Sequence, residues 1–326
     1  MIRKIALGIA AFAAAAAFVA VYVTPWPSVW IIRAVFDSGA EKASAALADK
    51  VPGDIAVRSG LRYDPNDPDA LFDIYRGRDA AAGGPTIVWF HGGGFVSGRR
   101  GDVANYLKIL AGRGFTVVNV DYTIAPEAVY PTPIRQANAA LAYLTANAAM
   151  LGINADRIVL AGDSAGAQIA AQTAAMVTNP AYAKAVGLQP GIAPRQLAGA
   201  LLHCGVYDVT AMGRGGGIIG WFVGSTVWAY SGERDPADNP GFATMSVLPH
   251  VTRRFPPTFI SAGNADPLGP QSVALANQLQ EHGAAVDALF FPSDHVPPLG
   301  HEYQFDLTTQ AGRMALDRSV AWLTTL

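Results

Sequence analysis

The stretch IVLAGDSAGAQIA, Ile158 to Ala170, sets a small hydroxyl residue, Ser164, between Gly162 and Gly166. An ordinary strand-to-helix turn manages with one glycine. Two of them, spaced evenly about a serine, imply a chain bent so tightly that neighbouring backbone passes where a Cβ would stand. Gly-x-Ser-x-Gly between a strand and a helix is the nucleophile-elbow pattern, in which a sharp turn lifts the serine oxygen clear of a sheet. In a chain with 34 glycines the bare pattern arises by chance roughly 0.14 times, so its weight comes from its surroundings. "RIVLAG" reads as a buried strand and "AGAQIAAQTAAMV" as an Ala-rich helix, which is the context the elbow requires.

A serine hydroxyl is a poor nucleophile near neutral pH and needs a base, a group to orient that base, and donors for the oxyanion that develops. The donors are legible in "VWFHGGGFVSG", where His91, Gly92, Gly93 and Gly94 end an apolar run. His-Gly-Gly-Gly occurs by chance only roughly 0.007 times in such a composition. Glycines let backbone N–H groups face a pocket with no Cβ in the way, so Gly93, Gly94 and the residue after the nucleophile, Ala165, are the expected oxyanion hole. His91 reads as a structural residue that holds the loop.

Chain order then calls for an acid and a histidine. Asp266, in the polar turn of "PTFISAGNADPLGPQS", is the expected acid; its competing reading is a cap on the helix that follows. Asp208 also follows a strand but precedes a long insertion, and is the runner-up. "FFPSDHVPPLGHEYQF" offers two bases, His295 and His301. His301 precedes the last helix and is taken as the base; His295, wedged between a strand end and a proline, is the alternative. His203, His250 and His282 read as strand, loop and helix-end residues.

Eight strand-like runs, "DIAVRSGLRY", "LFDIYRG", "TIVWFHG", "FTVVNVDY", "RIVLAGD", "AGALLHCGV", "PTFISAG" and "VDALFFP", alternate with helical ones. The later runs are continuous in Val, Ile, Leu and Phe, as strands covered on both faces should be. The expected fold is α/β, a mostly parallel eight-stranded sheet with helices on both faces. Residues 25–50 read as an N-terminal cap helix region and residues 51–326 as the catalytic domain. Residues 208–250, Gly- and Trp-rich, interrupt the alternation as a cap insertion. Gly215, Gly217 and Gly220 have Gly-x-Gly-x-x-Gly spacing, but no strand leads into them, so they read as cap backbone and not as a dinucleotide site.

A composition that is 51% apolar and 15% charged supports a sizeable core, and a net charge of −2 offers no face for nucleic acid. One cysteine, Cys204, excludes an internal disulfide and any Cys-based metal site, and reads as a buried structural thiol. "MIRK" is followed by an uncharged, mostly apolar run, Ile5 to Val23, and then by Trp26 and Trp30. Residues 1–24 are therefore expected to be an uncleaved membrane anchor, held through residues 5–23, with the catalytic domain outside the cytoplasm. Were the segment a cleaved signal, the mature protein would be periplasmic or secreted.

Together these motifs resemble the hormone-sensitive-lipase-like branch of the α/β-hydrolase superfamily, the microbial carboxylesterases marked by an HGGG loop and a GDSAG elbow. The resemblance runs from about residue 50 to the end. "VDYTIAPEAVYP", Val120 to Pro131, is similar to that family's VDYRLAPE-x-x-x-P, with Thr123 where arginine is usual, and "ADPL" is similar to its DPL-x-D acid motif. The histidine segment departs: members commonly have His-Gly-Phe, and this chain has "HEYQF". The resemblance implies a serine carboxylesterase that needs no metal or cofactor and acts on small-molecule, short- to medium-chain acyl esters. Ser164 would be nucleophile, His301 base and Asp266 its orienting acid. Two other readings use the same fold: an acyltransferase, amidase or deacetylase of a cell-envelope component, and a non-catalytic receptor of the gibberellin type, which has lost the catalytic histidine.

Overall fold

Runs of β-branched and large apolar residues need cover on both faces, and the chain supplies it by alternating strand with helix. The computed structural model describes residues 2–326 except Ala82, Ala211 and residues 213–215. Its strands are β1 (Ala56–Arg62), β2 (Leu71–Arg76), β3 (Thr86–Phe90), β4 (Thr116–Val120), β5 (Ile158–Asp163), β6 (Leu197–His203), β7 (Thr258–Ala262) and β8 (Val286–Phe290). They form one eight-stranded sheet in the order β1-β2-β4-β3-β5-β6-β7-β8. The β1–β2 and β2–β4 pairs are antiparallel, and the rest of the sheet, from β4 through β8, is parallel.

The helices described are α1 (Ile2–Tyr22), α2 (Trp26–Ala45), α3 (Arg100–Ala111), α4 (Thr132–Ala146), α5 (Ala148–Leu151), α6 (Ala165–Thr178), α7 (Pro180–Val186), α8 (Gly217–Ser231), α9 (Gly269–Glu281) and α10 (Gln310–Leu323). Strand side chains alternate between faces, which splits the core into two layers. Val88, Phe90, Val118, Val120 and Leu160 pack with α4, α6 and α9. Ile87, Trp89, Val117, Val159 and Phe259 pack with α3 and α10. Every residue of α6 is buried, and its alanines let it lie close against the sheet. Its two buried amides are tied in through their nitrogens: Gln168 Nε2 donates to Gln172 Oε1 (2.8 Å) and to the Met245 carbonyl (2.9 Å), and Gln172 Nε2 to Tyr130 Oη (2.7 Å).

Two helices from distant parts of the chain cover the carboxyl end of the sheet. Arg33 fastens α2: its Nε donates to the Val96 carbonyl (2.6 Å), Nη2 to the Ala125 carbonyl (2.9 Å), and both nitrogens of the fork reach Glu127. Ser97 Oγ donates to Asp37 of the same helix (2.9 Å). The insertion, expected as a cap, contains a four-turn helix, α8, despite its glycines. Packing overrides local propensity here: Trp221 Nε1 donates to Ser28 Oγ of α2 (3.2 Å), and the rings of Phe222 and Phe36 meet at 5.4 Å. Gly215, first of the three spaced glycines, lies outside the described residues; Gly217 and Gly220 are in α8 and follow no strand.

The run from Ile5 to Val23 is helical through Tyr22, with Leu7, Ile9, Phe12 and Phe18 exposed. Among the described residues no helix is long and apolar enough to cross a membrane, so the expectation of a spanning anchor is not supported.

Replacing Gly166 by alanine is expected to cost roughly 2 kcal/mol or more, because overpacking against rigid backbone cannot relax as side chains do. The added Cβ would press on the Phe90 carbonyl and lie 2.6 Å from the His91 oxygen. Urea midpoints of the variant and the wild type measure the loss.

Candidate active site

Ser164 ends β5 in a conformation that L-residues avoid, φ 51° and ψ −116°. Such strain persists only where the surroundings over-determine it. Here they do. A Cβ at Gly162 would lie 2.6 Å from the Gly166 carbonyl oxygen and 2.7 Å from that of Phe90, so the two glycines exist to let three backbone segments meet. The Ser164 N–H donates to the His203 carbonyl (2.8 Å) on β6, pinning the turn from the other side. Helix α6 begins at Ala165, so its positive end faces the serine.

The HGGG loop leaves β3 beside this turn and is held by polar contacts that leave its glycines lining the cavity. Gly92 N donates to Asp163 Oδ2 (2.9 Å), and Val96 N and Ser97 N both donate to the Gly93 carbonyl (3.2 and 3.0 Å). Gly93 and Gly94 have φ of 112° and 60°, values that glycine adopts freely. His91 is buried with its ring stacked on Tyr122 at 4.3 Å; the Tyr122 hydroxyl donates to the His91 carbonyl (2.8 Å). Burial holds the imidazole below its ordinary pKa, so a neutral ring ties the loop to the VDY segment. Gly93, Gly94, Ala165 and Ser164 all border one cavity.

His301 sits across from the serine, its Nε2 2.9 Å from Ser164 Oγ and its Nδ1 3.0 Å from Asp266 Oδ1. Asp266 Oδ1 also accepts from Leu268 N (2.8 Å). The acid is sealed from solvent while about a third of the His301 side chain is open to the cavity, so reactants reach the ring and not the carboxylate. Burial opposes charge on His301, but Cys204, Asp266 and Glu302 outweigh it and raise the pKa well above 6.5. The two alternatives lie apart. His295 packs its ring on Phe291 (4.8 Å) and its main chain is tied to Pro292 and Asn264. Asp208 accepts from Thr210 and Ser246. Neither borders the cavity.

The cavity measures about 580 Å³, within the range of small-molecule sites. Val35, Phe36 and Ala40 of α2 and Ile219, Phe222 and Val223 of α8 wall it opposite the serine. Its lining is overwhelmingly apolar, with Ser164, His301 and the glycine loop at one end and Ser44, Asp102 and Thr226 set singly along the walls.

Three further side chains crowd the centre, and the sequence reading gave none of them a part in the chemistry. Asp163 is buried, accepts from Trp89 Nε1 (2.8 Å) and Gly92 N (2.9 Å), and is hydrogen-bonded to Glu302. Burial and then the Glu302 charge push its carboxyl well above the ordinary value. Glu302 Oε1 lies 3.9 Å from His301 Nε2. Cys204 is buried as expected, with Gln304 Nε2 3.8 Å from its sulfur. Among the described residues Cys204, Asp266 and His301 form the one group whose donor atoms, all within 4.8 Å, resemble a metal-ligand set; the nitrogens of His301 are already engaged by Asp266 and Ser164. The signals available were the Asp of GDSAG and the departure from His-Gly-Phe at Glu302.

A strained serine at the carboxyl edge of such a sheet, facing a histidine from the last loop, defines the α/β-hydrolase class. The chain belongs to the alpha/beta hydrolase fold family, which it matches over residues 87–295; His301 falls just beyond that stretch. It is 31% identical over 238 residues to esterase LipQ of Mycobacterium tuberculosis, covering 71% of this chain and 54% of that protein. It is 27% identical over 219 residues to an acetyl esterase of Salmonella paratyphi B, covering 64% and 63%. The chain thus spans between half and two thirds of the length of these relatives. Among solved structures it is similar to esterase B of Lactobacillus rhamnosis (TM-score 0.77, 22% identity, 92% of this chain and 96% of that one). A bacterial heroin esterase gives a TM-score of 0.68 at 24% identity, covering 95% of each chain.

A histidine that must accept a proton works only when neutral, so any proton transfer from Ser164 to His301 is lost as pH falls through the His301 pKa. The acid limb of a kcat/KM–pH profile is expected to have its midpoint above 6.5, the ordinary histidine value. A midpoint at or below that value would contradict the electrostatics described.

Proposed function

We propose that the protein is a serine carboxylesterase acting on short- to medium-chain acyl esters through an acyl-enzyme on Ser164. The observation that carries this reading is the relay Ser164 Oγ–His301 Nε2 (2.9 Å) and His301 Nδ1–Asp266 (3.0 Å), set at the polar end of an apolar cavity. Oγ attacks the ester carbonyl as its proton passes to Nε2, and the C–Oγ bond forms. The oxyanion lies against the N–H groups of Gly93, Gly94 and Ala165, donors each worth roughly 10²–10³ in rate in comparable enzymes. Nε2 then hands its proton to the departing alkoxide. Water repeats the sequence on the acyl-enzyme and frees the serine. Asp266 holds the ring in the required tautomer and stabilises the imidazolium. The names of the relatives, esterase LipQ and acetyl esterase, support ester chemistry. The apolar walls from α2 and α8 support an uncharged acyl chain as the part of the substrate they cover.

Against a p-nitrophenyl ester series from acetate to palmitate, activity is expected to peak at the shorter chains. Ser164→Ala and His301→Ala should each lose on the order of 10⁴-fold or more, while His295→Ala keeps the wild-type rate. Equal loss in the His295 variant, or no hydrolysis of any ester by the folded wild type, would refute the assignment.

We further propose that α1 lies on a lipid surface and attaches the protein to it. Leu7, Ile9, Phe12 and Phe18 are exposed, Arg3 and Lys4 beside them suit anionic headgroups, and Trp26 and Trp30 suit an interface. The full chain is expected in the membrane fraction, whereas deletion of residues 2–24 should release an active enzyme. A full chain that fractionates with the deletion variant would overturn this.

A further inference from the structure

Glu302 occupies a backbone conformation that favours glycine, φ 60° and ψ 27°, directly after the histidine of the relay. A side chain held there carries a conformational cost that glycine would avoid. The carboxyl group does something specific with that position. It turns back over the HGGG loop, where a Cβ on Gly92 would lie 3.0 Å from Glu302 Oε1, and borders the cavity. It hydrogen-bonds Asp163, the residue before the nucleophile. Two carboxyl groups in contact cannot both be ionised without strong repulsion. Asp163, the more deeply buried, is the one raised well above its ordinary pKa. Asp163 is therefore the partner that donates, and the second oxygen of Glu302 keeps lone pairs to spare.

The separation of Glu302 Oε1 from His301 Nε2, 3.9 Å, is too long for a direct hydrogen bond. It does suit one water bonded to both, at about 2.8 Å from each. In the resting enzyme Nε2 is engaged by Ser164 Oγ (2.9 Å). Once Oγ is acylated it has no proton to offer, and Nε2 is free to receive one from water.

Resting on the esterase reading above, we propose that Glu302 positions the water that hydrolyses the acyl-enzyme. One O–H of that water donates to Nε2 and the other to Glu302, which aims the remaining lone pair at the acyl carbon. On attack the first proton moves to Nε2 as the C–O bond to water forms. The tetrahedral adduct then collapses, the C–Oγ bond breaks, and Nε2 returns the proton to Oγ. The products are the free acid and the resting serine, and Glu302 ends unchanged. Glu302 thus serves the second half-reaction and is idle in the first, where the alcohol of the substrate occupies the place of water.

Stopped-flow release of p-nitrophenol from the butyrate ester separates the two half-reactions: the pre-steady-state phase gives acylation and the steady state gives deacylation. Two variants are compared with wild type. Glu302→Gly relieves the backbone strain and so folds. Glu302→Gln keeps the shape and can accept from Asp163, but then turns an NH₂ donor toward the water. Both are expected to acylate near the wild-type rate and to deacylate about 10- to 100-fold more slowly, with a stoichiometric burst of product. A role confined to structure predicts that Gln restores wild-type turnover. That result, unchanged deacylation in Glu302→Gly, or an equal fall in acylation, would overturn the proposal. A wild type inert to the ester would instead remove the reading beneath it.

Discussion

One backbone contact governs the rest of the site: the start of α6 lies against the carbonyl end of β3 with no room for a side chain between them. Gly166 touches the carbonyls of Phe90 and His91, and Gly162 faces both Gly166 and Phe90. Because the HGGG loop starts at His91, the contact that bends the elbow also sets the distance from the serine to the loop. Ser164 and the expected oxyanion donors are thus parts of one rigid joint and not two elements aligned by chance. The strain at Ser164 is sustained because the joint is clamped elsewhere, by the Ser164 N–H on His203 and by Asp163 on Gly92 and Trp89.

Against this rigid half stands a covering half of different character. Helices α2 and α8 meet the catalytic part through side chains: the Arg33 fork on Val96, Ala125 and Glu127, the Ser97–Asp37 bond, and rings at the α2–α8 seam. Apolar contact is roughly proportional to area and tolerant of shape, so this half can vary in the chain it accommodates while the joint stays fixed. Arg33 bridges the halves, since the Val96 carbonyl it holds belongs to the loop that carries Gly93 and Gly94.

Much of this was readable beforehand, and the reasons differ by element. The strands follow from unbroken Val, Ile, Leu and Phe, and all eight runs named from sequence contain a strand. The elbow and the glycine loop were legible because steric demands leave few residues able to serve. The choice between His295 and His301 rested on position alone, because separation along a chain says nothing of where a ring points; in space His301 meets Ser164 and His295 does not. Helix α8 was hidden by glycines whose propensity argues for a loop, and its order comes from contact with α2, nearly two hundred residues earlier. The Asp163–Glu302 pair was hidden for the same reason: no local pattern reports that two acids meet. The apolar N-terminal run was legible as a helix but not as a membrane span, since hydrophobicity records what a segment avoids and not what covers it.

The placement of α2 bears on how the chain is made. Its partners, Val96, Ala125, Glu127 and Trp221, all lie downstream. The helix therefore leaves the ribosome well before the segments that seat it. Until residue 231 has emerged, α8 cannot form, and the face of α2 that carries Ser28 and Phe36 stays open. Contacts so far apart in sequence form late in folding, and exposed apolar surface in the interval invites association with other chains. Synthesis thus leaves one face of α2 waiting, apolar and uncovered, while the sheet it will roof is assembled.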